Sequence, residues 1–393
     1  MKMKTGYCGN IHAGTTLDEL LANLGRYALP IREAVCGPDA CLGIGLWLSR
    51  AGVAEALAGG RWPELKRLLE ENGLVPRTFN AFPWADFHQP VVKHEVYLPA
   101  WNDHRRLDYT RDVARLLDRI LPPGMPGSIS TVPLGWPASL AREEDLRQAT
   151  ENLRTCARFL ADLESARDRL IVLALEPEPG CQLSTSLDLC EYFCHRLGSD
   201  DEQAVRRHLG VCHDVCHAAV MFESQKTALD RYRDAGIRIA KVQISSAIQV
   251  DLCGGDLQTT ARDRLQAFAE PRYLHQTGIR HPRGAFEFVE DLPAVLPRIA
   301  TLESGTCLRV HFHVPVHLEA IDGIVGTTRD QIRDCLDWFS GQKRGLAETG
   351  WPHFEVETYA WSVAPEAVQG GTLTDSVVAE LRWLHGEMEA AGL

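Results

Sequence analysis

The chain has 393 residues, of which 41 are basic and 53 acidic, for a net charge of −12 with histidine neutral. Its hydrophobic share of 45% and charged share of 24% match globular proteins and exclude a disordered tail, a collagen and a coiled coil. The acidic balance argues against a nucleic-acid partner, because lysine and arginine supply most of the affinity for phosphate backbones. No apolar stretch follows Lys2 and Lys4 as a secretory signal would require, and no run of about 18 apolar residues suggests a membrane span. The 12 cysteines form no C-x-x-C pair. Reduced thiols and a cytoplasmic location are therefore expected.

Short apolar runs read as strands over 5–12, 41–48, 74–82, 128–134, 170–177, 209–216, 239–245, 308–314 and 354–359. Amphipathic helices are predicted between them. Over 61–72, Trp62, Leu65, Leu68 and Leu69 share a face, and similar faces run over 143–163 and 374–389. Ser184, Thr328 and Thr374 with Asp375 mark helix starts. This alternation implies parallel strands with right-handed crossovers. With no glycine-rich nucleotide loop, it favours an α/β (β/α)8 TIM barrel over a doubly wound sheet. Nine strand candidates are one too many, and the surplus falls among the last three. A barrel needs about 250 residues, so a single domain over 1–393 carries long insertions. They are expected near 83–108, which is rich in aromatics and histidine, and near 249–306.

Catalytic groups of such barrels gather where strands end, and polar residues do cluster there. The run 170–175 leads into Glu176-Pro-Glu178, and a carboxylate there needs a cation or donors if buried. Around 209–217, Asp214 and His217 form a D-x-x-H in which the imidazole can turn back toward the carboxylate. Cys212 and Cys216 share the Asp214 face, but strand geometry sends Cys212 and His213 to opposite faces, which disfavours a cysteine-histidine zinc site. Lys241, Gln243 and Ser245 share one face, and Gln243 can offer its amide oxygen to a hard cation. His311 and His313 form an H-x-H pair on a strand candidate, a frequent two-ligand geometry for transition metals. His353, Glu355 and Glu357 face one way, and two inward carboxylates on one strand repel without a cation or a shared proton. Tyr7, Asn10, His12, Asn80 and Trp136 sit where substrate contacts belong, with Lys241 and His275 as further candidates. The set of Glu176, Asp214, His217, Gln243, His311, His313, Glu355 and Glu357 suits a divalent ion (Zn, Mn, Fe, Co or Mg), which residue types alone do not choose between.

The order of these motifs resembles the xylose-isomerase-like TIM barrels, a superfamily of sugar and sugar-phosphate isomerases and epimerases that also holds metal-dependent apurinic endonucleases. Glu176, Asp214 with His217, Gln243, and Glu355 or Glu357 match its ligand positions on successive strands. More closely, 7–12, 273–276, 311–315 and 354–361 look like the metabolite traffic protein EboE family, associated with moving or processing secondary-metabolite precursors. Gln243 departs from the superfamily, which usually has a metal-binding histidine there. Either its amide oxygen binds the metal, or His275, His311 or His313 supplies the imidazole. The resemblance implies a metal-dependent isomerase or epimerase acting on a small molecule, with Glu176, Glu355 and His217 as catalytic candidates. The alternatives are a metal-dependent hydrolase of a small phosphoester and a metabolite-binding protein without turnover. A homo-oligomer is compatible with each.

Overall fold

A computed structural model describes residues 5–37, 40–198, 202–343, 345–346 and 350–393; the start that carries Lys2 and Lys4 lies outside them. Seven strands come first: β1 (Thr5–Cys8), β2 (Leu42–Leu46), β3 (Leu74–Asn80), β4 (Gly127–Thr131), β5 (Ile171–Leu175), β6 (Leu209–Asp214) and β7 (Arg238–Ile244). Five short strands follow: β8 (Ile248–Asp251), β9 (Thr277–Arg280), β10 (Phe286–Val289), β11 (Cys307–Val310) and β12 (Gly326–Thr327). The chain then returns through helix Arg329–Gly341 to β13 (His353–Val356). Strands β1 to β7 and β13 form a closed parallel barrel in the order β1-β13-β7-β6-β5-β4-β3-β2. The chain is a (β/α)8 barrel, with helices between its strands.

The local sequence explains the elements. Strands β2 and β5 are buried along their whole length, as a sheet covered on both faces demands. Helix Trp62–Glu71 buries Leu65 and Leu69 and carries a proline in its first turn, where the missing N–H costs nothing. The predicted caps move by a residue or two where the bonding decides. Thr185 and Thr372, rather than Ser184 and Thr374, cap their helices, each in a reciprocal box with an aspartate three residues on. Thr328 does precede a helix, but its hydroxyl accepts from the Ala247 N–H instead.

The surplus strand is the one predicted over 308–314. It stops at Val310 and pairs antiparallel with β8 and β9, outside the barrel. Strands β8 to β12 make a five-stranded antiparallel sheet in the order β10-β9-β11-β8-β12. This sheet has its own apolar cluster, including Ile248, Leu265, Ile279, Leu308 and Phe312. It occupies 248–327, which is longer than the excursion predicted over 249–306. After β11 a tight turn from Val310 O to Phe312 N bends the chain, and Val314 N then bonds Ser246 O at the end of β7. That bend carries 311–314 from the inserted sheet onto the barrel mouth. Cys8, Cys156, Cys212, Cys216 and Cys335 are buried thiols outside any disulfide. Among the described residues no helix is long and apolar enough to cross a membrane.

Candidate metal centre

At the end of β6, Asp214 caps the short helix Val215–Val220. Its Oδ1 accepts the His217 N–H at 3.0 Å and the Ser245 hydroxyl at 2.7 Å. Its Oδ2 is buried without a hydrogen-bond partner and lies 3.8 Å from His217 Nε2 and 4.0 Å from His313 Nε2. The D-x-x-H spacing thus works as a helix cap that spends one carboxylate oxygen and presents the other. Glu176 follows β5 directly, and its Oε2 is likewise buried without a partner. Glu357 follows β13 and takes Asn10 Nδ2 at 2.8 Å and Asn80 Nδ2 at 3.4 Å on its Oε1.

Three histidines are oriented alike. Nδ1 of His217 bonds the Pro177 carbonyl at 2.8 Å, and Nδ1 of His313 bonds the Glu357 carbonyl at 2.9 Å. Nδ1 of His311 bonds Gln276 Oε1 at 2.8 Å. Each partner is an acceptor, so each Nδ1 donates and each Nε2 turns inward, as a lone pair wherever the ring is neutral. Nε2 of His311 and Nε2 of His313 are 3.2 Å apart. Two lone pairs facing at that distance repel unless a proton or a cation sits against them.

Donor atoms converge in overlapping groups, each within 4.8 Å: Glu176 with Asp214 and Glu357, Asp214 with His217 and His313, Glu178 with His217 and His311, and Cys216 with His311 and His313. The electrostatics show the same demand for positive charge. Burial, reinforced by Glu357, pushes the Glu176 carboxyl well above its usual range. Burial opposes the His217 imidazolium, but Asp214, Glu178, Glu176 and Glu357 outweigh it and lift the group to about 9. Burial, with His217 alongside, pushes His311 well below its usual value. Four buried carboxylates, two of them with an unused oxygen, face three inward imidazoles, so these residues fit a divalent cation.

Other residues predicted for the site lie elsewhere. Glu355 points into the barrel interior, where its Oε2 is 2.6 Å from Lys241 Nζ, both fully buried. A Cβ on Gly45 would run into that carboxylate, so Glu355 is packed in the barrel interior and, among the described residues, lies outside the converging donor groups. Lys241 is consumed by the same ion pair and does not reach the cleft. Gln243, between Asp214 and Glu355 in register, is buried with neither amide atom hydrogen-bonded. The imidazoles at the mouth instead come from His311 and His313. His275 bonds Glu270 Oε1 at 3.0 Å and stacks on Phe312 behind the site. Tyr7 bonds His12 at 3.1 Å, and His12 stacks on Tyr27, so both face the helical layer. Trp136 packs against Tyr97 and His94, one layer behind the cleft.

Glu178, two residues beyond Glu176, also reaches the site, and E-P-E at a strand end is its signal in the sequence. Its Oε2 is 3.1 Å from His217 Nε2, and its Oε1 accepts the Tyr97 hydroxyl at 3.0 Å and Gln276 Nε2 at 3.1 Å. Tyr97 comes from the aromatic stretch over 83–108, so the signal there was composition, not position. Glu178, Glu176, His217, His311 and Glu357 line one end of a cleft, together with Asn10 and Asn80.

No protein-family model matches the chain, and no curated protein sequence is significantly similar to it. Over 99% of its length the chain is similar to three solved structures. One is a D-tagatose 3-epimerase-like protein (98% of that chain, 12% identity, TM-score 0.49). Another is a xylose isomerase domain protein from Alicyclobacillus acidocaldarius subsp. acidocaldarius (100% of that chain, 16% identity, TM-score 0.47). The third is IolI with a bound zinc atom (99% of that chain, 14% identity, TM-score 0.47). At these identities and TM-scores the likeness concerns overall shape, and the site is read from its own residues.

Proposed function

We propose that this chain is a divalent-cation-dependent isomerase or epimerase of a sugar-like polyol or keto compound, in the processing or traffic of a secondary-metabolite precursor. The observation that carries this reading is the convergence of Glu176, Asp214, Glu357, His217, His311 and His313, with two carboxylate oxygens left unsatisfied. The EboE-like segments 311–315 and 354–361 supply three of those six residues, which supports the metabolite part of the reading. Glu176, Asp214 and Glu357 would hold the cation with one or more of the imidazoles. Bound there, it would polarise a carbonyl and its neighbouring hydroxyl and ease proton removal from the adjacent carbon.

The remaining chemistry belongs to the chain's own groups. Asn10 and Asn80 fix the rotamer of Glu357. Tyr97 and Gln276 fix Glu178 with Oε2 facing the cleft, where it can take a proton from a substrate carbon and return it on the same or the neighbouring carbon. His217, held by Pro177, orients a substrate hydroxyl or binds the cation. Metal content measured by plasma mass spectrometry tests the assignment. Glu176→Ala should purify without the ion that the wild type retains, and full metal content in that variant would refute the site.

A second reading is hydrolysis of a small phosphoester, which the overlap of four donor groups favours, because two cations can clamp attacking and leaving oxygens. The same measurement separates the two. One ion per chain supports isomerisation, and two or three support hydrolysis.

A further inference from the structure

The cleft has two chemically different ends. Its inner end is the acidic and imidazole cluster described above. Its outer part is walled by Phe82 and Phe87, from the segment after β3, together with Tyr273, Leu274 and Tyr359. The aromatic wall is continuous: Phe87 lies 6.4 Å from Tyr273, Tyr273 packs edge-on to Tyr359 at 5.2 Å, and Tyr359 lies 4.8 Å from His313. A ligand reaching the candidate metal ligands must therefore run along aromatic faces.

A phosphate group finds little here. Phosphoryl recognition uses arginine forks, lysines or clustered backbone N–H groups. No arginine lines the cleft among the described residues, and its one lysine, Lys93, is held 2.6 Å from Asp291.

Resting on the reading of this cleft as a substrate site, we infer that its ligand is unphosphorylated and carries a flat apolar group next to its vicinal oxygens. The oxygens face Glu176, Glu178 and Glu357, and the apolar group lies along the aromatic wall of Phe82, Phe87, Tyr273 and Tyr359. This separates the protein from sugar-phosphate enzymes at the level of substrate class.

Isothermal titration of the zinc-supplemented full chain with three probes tests it: phenyl β-D-glucoside, methyl β-D-glucoside and D-glucose 6-phosphate. The phenyl glucoside should bind at least tenfold more tightly than the methyl glucoside, and the phosphate ester more weakly than either. Val96→Lys places a cation in the half-buried part of the apolar wall without emptying a packed core. It should abolish the phenyl preference and raise affinity for the phosphate ester. Equal binding of the two glucosides, no binding by any probe, or preference for the phosphate ester by the wild type overturns the inference. Zinc content measured on the same samples keeps the two readings apart. Zinc retained without a phenyl preference defeats this inference alone, and a phenyl preference without retained zinc defeats the metal assignment alone.

Discussion

Lys241 and Glu355 show how a charged residue can look catalytic in a sequence and be spent on the barrel instead. Both are fully buried and 2.6 Å apart, with His353 3.6 Å from the other Glu355 oxygen. Burial opposes the Lys241 ammonium, but Glu355 outweighs it and holds the charge on. Removing one partner of a buried pair leaves an uncompensated charge, which costs about 3–5 kcal/mol. Lys241→Met should lose that much stability in urea denaturation, and adding Glu355→Gln to it should restore a large part. A single variant within about 1 kcal/mol of wild type would show that the pair does not hold the interior together. By contrast, Asp214 keeps one oxygen for structure and one for the site, which explains why it is buried at a strand end at all.

At the scale of elements, the C-terminal helix Leu373–Ala390 does more than cover the barrel. Its Glu380 accepts the Val316 N–H at 3.0 Å and the Thr358 hydroxyl at 2.6 Å, and so ties down the segments after His313 and Glu357. Burial pushes this carboxyl up to about 7. A carboxyl raised in the folded state keeps its proton while the unfolded chain has released it. The stability it allows is complete below the ordinary value of 4.5 and is lost as pH rises through 7. Glu380→Gln keeps an acceptor and removes the charge. Its stability advantage over wild type should grow by about 2–3 kcal/mol between pH 5 and pH 8. A constant difference across that range, measured by thermal or urea unfolding, would show that Glu380 does not titrate there.

For the whole molecule, the barrel and the inserted sheet meet at the mouth. Val92 and Lys93 N–H groups both bond Arg272 O, and Lys93 pairs with Asp291, so the segment after β3 is tied to the inserted sheet across the cleft. The donor groups of the candidate site come from the ends of β5, β6 and β13 and from the chain after β11. A ligand that joins so many elements should stabilise the fold as a unit, by about 2.7 kcal/mol at a hundredfold excess over its dissociation constant. Adding zinc or manganese to chelator-treated protein should therefore raise Tm by several degrees, and Glu176→Ala should remove the response. An unchanged wild-type Tm would count against a site that bridges these elements.

The barrel was legible in the sequence because strand and helix periodicities are local: seven apolar runs from 5–12 to 239–245 each contain or overlap a barrel strand, and 354–359 overlaps the eighth. The ligand-type residues at strand ends, Glu176, Asp214, His217 and Glu357, were legible for the same reason, since each directly follows or closes an apolar run. Periodicity does not record partners, however. It could not tell that 308–314 pairs antiparallel in another sheet, that Glu355 is met by Lys241 from β7, six strands earlier in the chain but adjacent in the barrel, or that Tyr7 and His12 turn to the helices. Those outcomes depend on contacts between segments distant in the chain. The H-x-H pair is the clearest case: its residue types announced a metal-binding pair, but only the bend after Val310, fixed by bonds to Gln276 and Ser246, brings it to the barrel mouth.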